Sequence, residues 1–194
     1  MPTAIVGPST LCPGETVTYS ATGASGAVWT CSPTSVATIN PATGALTGVA
    51  AGPVTIVAQT GPLGVCNISR IVTVNPAPAA ISGASRVCVG QCTTFTDATS
   101  GGTWSDPSYT SIATVGSTTG IVCGVAAGNA LITYTITSTG CKTTKAITVD
   151  AIPTSITPAT GSVCIGATIT YFGSPIGGTW SSTAGGAGGS VSVN

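Results

Sequence analysis

The chain repeats itself with a period of about 76 residues. Cys12, Cys88 and Cys164 are spaced 76 and 76 apart, and Trp29, Trp104 and Trp180 are spaced 75 and 76 apart. The stretch "SVATINPATGALTGVAAG" (35–52) matches "SIATVGSTTGIVCGVAAG" (111–128), and "VCNISRIVTVN" matches "GCKTTKAITVD". Self-similarity at a fixed spacing means that one supersecondary unit is built several times over. Two units run to completion. The third, from about Thr154, reaches "GGTWSS" and then lacks the "SVAT", "GVAAG" and "GC" parts.

Within each unit, short runs such as "ETVTYSA", "GPVTIVAQT", "ALITYTIT" and "AITVD" alternate apolar and polar residues and are rich in Val, Ile, Thr and Tyr. Clusters of Gly, Pro, Asn and Ser separate them every eight to twelve residues. This is the period of half-buried strands joined by turns. No window carries the 3.6-residue apolar period of a helix, and 27 Gly with 13 Pro would interrupt most candidates. The expected fold is all-β, a series of two-layer sandwiches of about seven strands each. Boundaries fall at "NPAPAA" and "DAIPTS", where proline ends pairing, giving units 1–77, 78–152 and a partial unit 153–194.

Apolar residues make up 42% of the chain, enough for a core in each unit, but charge is scarce. Four basic residues (Arg70, Arg86, Lys142, Lys145) face four acidic ones (Glu15, Asp97, Asp106, Asp150), so no field exists to draw nucleic acid or an acidic membrane. The surface must be Ser, Thr, Gly and Ala. Such a neutral coat suits a molecule that packs against copies of itself, or a secreted domain solubilised by hydroxyls. No stretch reaches the ~20 apolar residues of a membrane span, and "MPTAIVGPST" lacks the basic and apolar regions of a signal peptide. A soluble chain is therefore expected, with any export signal removed or lying upstream.

The succession "VxVGxxxTFT", "GGTWSxxxxSIATV", "TGxVxGVAAGxAxITYT" and a final "xITV" strand resembles the bacterial immunoglobulin-like group 2 repeat of secreted surface and filament proteins. The resemblance spans units one and two fully and half of unit three. It implies immunoglobulin-like β-sandwiches, two complete and a third incomplete. It also implies an extracellular spacer or stalk module without catalysis, sometimes adhesive at its tip.

Eight cysteines without a single histidine point to disulfides rather than zinc. Zinc sites favour close Cys pairs, usually two of them, whereas the closest pair here, Cys88 and Cys92, has no second pair to complete it. Disulfides imply an oxidising compartment. The periodicity suggests pairing within each unit, Cys12 with Cys66 and Cys88 with Cys141. Each such bridge would close a loop worth roughly 4 kcal/mol in the chain-entropy picture. Cys92 and Cys123 occur only in unit two, where unit one has Thr16 and Thr47, and suggest a second local bridge. Cys31 and Cys164 are left over. They are candidates for a link between neighbouring chains; alternatively, Cys164 pairs with sequence beyond this stretch and Cys31 is a buried thiol.

Half a sandwich would leave Ile169, Tyr171 and Trp180 facing water and its strand edges open. Either further repeats follow, or a neighbouring chain supplies the missing strands. The terminal "SVSVN" resembles the last strands "RIVTVN" and "AITVD", as it would if the middle of the repeat were deleted and its final strand kept behind "AGGAGG".

Catalysis finds little to work with. There is no histidine, one Glu and three Asp, and no carboxylate recurs at the same place in two units. Acid–base pairs and activated hydroxyls both need partners that no motif supplies. Asp97 and Asp106 are too few for calcium and read as turn residues. "GVAAG" lacks the Lys-Ser or Lys-Thr of a phosphate loop, and its glycines serve turns. The "NIS" at Asn67 matches a glycosylation acceptor by a three-residue pattern only. Trp29, Trp104 and Trp180, each at a constant repeat position, are expected to fill sandwich cores rather than stack on sugars. The chain is thus expected to be a non-enzymatic extracellular subunit with no cofactor and no metal. Its expected partners are copies of itself, associated end to end into a surface filament. The alternative is the stalk or binding module of an adhesin that recognises a glycan or host protein, through a tip domain or loops near Tyr109.

Overall fold

A computed structural model describes residues 2–60, 66–106, 110–157, 159, 161–164 and 166–174. It is all-β, a tandem of immunoglobulin-like sandwiches, and among the described residues no helix occurs. Unit one contains β1 (Ala4–Val6), β2 (Thr10–Leu11), β3 (Thr16–Thr18), β4 (Ser20–Thr22), β5 (Val28–Ser32), β6 (Ala37–Ile39), β7 (Ala45–Gly48), β8 (Gly52–Thr60) and β9 (Cys66–Val74). One sheet has the order β2-β9-β8-β5, the facing sheet β3-β7-β6, and β1 pairs with β4. Unit two has β10 (Arg86–Cys88), β11 (Cys92–Thr94), β12 (Gly102–Ser105), β13 (Ala113–Val115), β14 (Ile121–Gly124), β15 (Gly128–Ile136) and β16 (Lys142–Asp150). Its sheets, β10-β16-β15-β12 and β11-β14-β13, repeat the first arrangement strand for strand. This order is the Greek-key pairing of immunoglobulin sandwiches, with a first strand that divides between the two sheets.

The alternation in the sequence becomes two faces. In β8, Val54, Ile56 and Ala58 are buried while Pro53 is exposed, and in β16 Ile147 and Val149 are buried while Lys142 is exposed. Two separate cores result. One gathers Leu11, Tyr19, Trp29, Leu46, Ile56, Val72 and Val74 among others; the second gathers Phe95, Trp104, Val122, Ile132, Tyr134, Ile147 and Val149. Trp29 and Trp104 are therefore core residues, while Trp180 lies outside the described residues. Trp104 packs against Tyr134 with ring centroids 4.7 Å apart and meets Phe95 edge-on at 6.4 Å, geometries that aromatic quadrupoles favour.

The run "ETVTYSA" reads as one strand, but the structure divides it at Tyr19. β3 pairs with β7 and β4 with β1, so the chain changes partner strand there. The buried Tyr19 ring fills the space, and its hydroxyl donates to the Pro8 carbonyl at 2.9 Å. Of the third unit, β17 (Ser155–Thr157) and β18 (Phe172–Ser174) form an antiparallel pair.

Two glycines are required by these cores. Gly44 (φ +71°) and Gly120 (φ +68°) occupy the same place in the two repeats. A Cβ on Gly44 would lie 2.6 Å from the Tyr19 carbonyl and 2.8 Å from the Trp29 ring; on Gly120 it would lie 2.3 Å from the Phe95 carbonyl and 3.1 Å from the Trp104 ring. The "TGA" and "TGI" turns are thus left-handed and roofed by tryptophan, a place only glycine fits without strain.

Candidate functional site

The cysteines are the reactive groups of this chain, and strand direction decides which of them meet. β2 runs parallel to β9, with Leu11 opposite Val74. Cys12 therefore lies at the pole of unit one where β9 ends and the chain leaves; the Asn75 amide donates to the Leu11 carbonyl at 2.8 Å. Cys66 begins β9, opposite Thr60, at the other pole. We call these the trailing and leading poles. In unit two, Cys88 stands opposite Asp150 at the trailing end, while Cys141 immediately precedes β16 at the leading end.

Pairing of Cys12 with Cys66, or of Cys88 with Cys141, is consequently ruled out. Eight residue steps along β9 at ~3.3 Å each place the two poles about 26 Å apart, whereas a disulfide holds Cα atoms within ~7 Å. The expected Cys12–Cys66 and Cys88–Cys141 bridges are corrected accordingly. Cys12 is instead bonded to Cys141 of the next repeat, Cα to Cα 5.4 Å. The trailing pole of one sandwich is thereby stapled to the leading pole of its successor. Cys66 and Cys88 are thiols.

The turn that follows Ile136 holds Cys141 in place. The Ile136 amide donates to the Cys141 carbonyl at 2.8 Å, Gly140 to the Ile136 carbonyl at 2.8 Å, and the Cys141 amide to the Thr139 hydroxyl at 3.3 Å. Cys12 is held as firmly. Its carbonyl accepts from the Glu15 amide at 3.1 Å, and its own amide donates to the Glu15 carboxylate at 2.9 Å.

Cys92 and Cys123 form a second disulfide inside unit two. They are directly opposite on β11 and β14, with Cα atoms 4.1 Å apart, the closely spaced kind of antiparallel pair. At the same register in unit one, the Thr16 and Thr47 hydroxyls hydrogen-bond at 2.8 Å. One position is thus linked covalently in one repeat and by a hydrogen bond in the other.

The two remaining cysteines differ in character. Cys31 shares the inward face of β5 with Trp29, packs on the first core, and donates its S–H to the Ala37 carbonyl at 3.2 Å. Burial pushes its thiol pKa up, with a backbone hydrogen bond from the Ile39 region opposing it. Cys164 is exposed. Among the described residues, no group of three or more His, Cys, Asp or Glu gathers as a metal site would.

The few charges work locally. Arg70 donates to the Ile5 carbonyl at 3.0 Å, and Lys145, at the corresponding place in unit two, donates to the Ile81 carbonyl at 3.3 Å. Each ties the last strand to the first segment of its own sandwich. Arg86 pairs through two contacts with Asp150 beside Cys88.

No family model and no curated protein matches the sequence. Among solved structures, the chain is similar to a C-terminal fragment of intimin in complex with the intimin-binding domain of its translocated receptor. Identity there is 13% over 79% of this chain and 66% of that one, with a TM-score of 0.46. It is also similar to domains 1–6 of the surface layer protein SbsC, at 21% identity over 70% of this chain, of which it spans only 23%, with a TM-score of 0.29. A third similarity is to human protocadherin-24 EC1-2, at 13% identity over 78% of this chain and 99% of that one, with a TM-score of 0.32. None of these scores reaches 0.5, and the fold assignment rests on the strand order.

Proposed function

We propose that this chain is a non-enzymatic structural subunit of an extracellular surface filament, built from sandwich domains 1–77 and 78–152 and a partial domain 153–194 that associate end to end. The observation that carries this reading is the Cys12–Cys141 disulfide. A bond that joins successive sandwiches at their facing poles serves a chain under tension, because load crosses the junction through sulfur rather than through the proline linker. Formation of such bonds calls for an oxidising compartment, in keeping with a position outside the cell. The near absence of charge removes the repulsion that ordinarily keeps soluble proteins apart.

The partial third domain supplies a second contribution. Ile156, Val163 and Phe172 are 53%, 48% and 67% exposed, and Ile169 and Tyr171 are 36% and 37% exposed. In the complete repeats the positions of Ile5, Tyr19 and Phe95, related to these by the 76-residue period or lying beside them, are covered. Strands from a neighbouring chain laid on this segment would bury the same kind of surface, completing a sandwich as strand addition does elsewhere.

Negative-stain electron microscopy and sedimentation velocity of the full chain, in buffer free of oxidant and reductant so that the Cys12–Cys141 bond stays closed, test the reading. Concentration-dependent linear particles are expected. A single species of monomer mass at every concentration overturns it.

A further inference from the structure

Cys88 reproduces the backbone hydrogen bonds of the turn around Cys12. Around Cys12, Glu15 donates to the Cys12 carbonyl at 3.1 Å, Gly14 to Gly48 at 2.9 Å, and Gly48 to Glu15 at 3.0 Å. Around Cys88, Gln91 donates to the Cys88 carbonyl at 3.0 Å, Gly90 to Gly124 at 2.9 Å, and Gly124 to Gln91 at 3.0 Å. Gly14 and Gly90 share a φ of +79°, and a Cβ on Gly48 or Gly124 would strike the carbonyl of Cys12 or Cys88 at 2.6 or 2.8 Å. Cys66 in turn begins β9 where Cys141 precedes β16. The positions of Cys12 and Cys141 are bonded to each other in this same molecule. Cys66 and Cys88 therefore hold the complementary halves of a bond that the fold already makes once, on the leading pole of unit one and the trailing pole of unit two. Cys88 is exposed and Cys66 half-buried.

We propose that Cys66 of one copy of this chain forms a disulfide with Cys88 of a second copy, stapling the leading pole of one molecule to the trailing pole of the next in the manner of Cys12 and Cys141. The proposal rests on the end-to-end reading above and names the covalent site of that contact. Cys164 occupies a turn of the same kind, with Ala167 donating to its carbonyl at 3.0 Å and Gly166 at φ +88°. Cys88 is preferred because its turn is cradled by Gly124 of a complete sandwich.

The chemistry requires an oxidant of the disulfide class, such as oxidised glutathione. The Cys88 thiol loses its proton, and the thiolate attacks one sulfur of the oxidant, releasing a thiolate that takes up a proton. The Cys66 thiolate of the second copy then attacks the Cys88 sulfur of the mixed disulfide and displaces the other half of the oxidant, which is protonated in turn. Two protein thiols are oxidised, and one disulfide is reduced to two thiols.

The test incubates the full chain in a mixture of oxidised and reduced glutathione. Products are resolved by non-reducing electrophoresis, and linked peptides are mapped by mass spectrometry. A ladder that collapses on reduction is expected, with a peptide joining Cys66 to Cys88 and with the Cys12–Cys141 and Cys92–Cys123 peptides unchanged as internal controls. C66S and C88S should each abolish the ladder, while C31S and C164S should retain it; circular dichroism matching the parent confirms that each variant is folded. A ladder joined through Cys31 and Cys164, or through Cys66 and Cys164, overturns the assignment, as does the absence of any interchain bond. Association in buffer free of oxidant and reductant, with no Cys66–Cys88 bond formed on later oxidation, would sink the inference and leave the end-to-end reading intact; monomers at every concentration in that buffer would sink that reading.

Discussion

Cys12 and Cys141 are 129 residues apart in sequence and 5.4 Å apart at their Cα atoms, joined by a disulfide between the trailing pole of one sandwich and the leading pole of the next. Everything between them is enclosed in one covalent loop. Tension applied at the chain ends passes across this bond and bypasses the enclosed residues while it is intact.

A single molecule pulled from its ends should therefore withhold the enclosed segment until the bond is reduced. The hidden contour length is roughly 450 Å at ~3.5 Å per extended residue. Adding a reductant, or replacing Cys12 by Ser, should release it as extra unfolding steps in force spectroscopy. The same steps appearing in the oxidised parent would show that the bond does not carry the load.

The tryptophan-roofed turns predict a graded glycine series. Gly120→Ala should destabilise unit two by about 2–4 kcal/mol, since a left-handed alanine costs ~1–2 kcal/mol and the methyl also meets the Phe95 carbonyl and the Trp104 ring. Gly90→Ala, with the same sign of φ and nothing within 4 Å of the added carbon, should cost only about 1 kcal/mol. Urea titrations followed by tryptophan fluorescence would separate the two; equal losses would show that the close contact is unimportant.

Unit one should accept the bridge that unit two already has. Thr16→Cys together with Thr47→Cys places two thiols at the register of Cys92 and Cys123. Oxidation would close a loop of 31 residue steps, worth about 3–4 kcal/mol in the chain-entropy picture. Thermal melts of the oxidised variant and the oxidised parent should differ by that stabilisation. Failure of the pair to oxidise would show that the strand spacing differs between repeats.

Alkaline pH should loosen unit one through Tyr19. Burial raises the pKa of its phenol above the ordinary tyrosine value, with Arg70 nearby opposing and Glu15 adding to the shift. A group held protonated in the folded state stabilises it fully below its unfolded pKa, near 10, and that stabilisation is lost as the pH rises through the folded value. Tyr19→Phe should remove this alkaline step. Its cost at neutral pH should be only about 1 kcal/mol for the lost hydrogen bond to Pro8, since Phe95 fills the equivalent place in unit two. An unchanged alkaline midpoint in the variant would assign the transition elsewhere.

Thiol labelling should rank the cysteines by their surroundings. Cys31, half-buried against the first core and with its pKa raised, should react with iodoacetamide at pH 8 about tenfold or more slowly than exposed Cys88 and Cys164. Comparable rates would place Cys31 outside the core.

Much of this molecule is written in local sequence. Alternation along "GPVTIVAQT" decides which of Val54, Ile56 and Ala58 face inward, because successive strand side chains point to opposite faces and only one face of each sheet is dry. The repeat spacing of Trp29 and Trp104 fixes them as equivalent core residues, and the joint appearance of Cys92 and Cys123 where Thr16 and Thr47 stand marks a cross-strand pair, since neighbours in register are substituted together. The staple was not legible in this way. Period tells which cysteines are equivalent, but not at which end of a sandwich each one emerges. That depends on the number of chain reversals between them and on the parallel pairing of β2 with β9, which put Cys12 and Cys66 a full strand length apart. The division of "ETVTYSA" at Tyr19 likewise needed the facing strands, because a change of partner is a property of the sheet and not of the segment. Sequence alone determined the sandwiches and their inward faces through side-chain alternation; only the tertiary fold decided that sulfur joins one repeat to the next, because a disulfide forms by proximity in space and the strands carry its two halves to opposite poles.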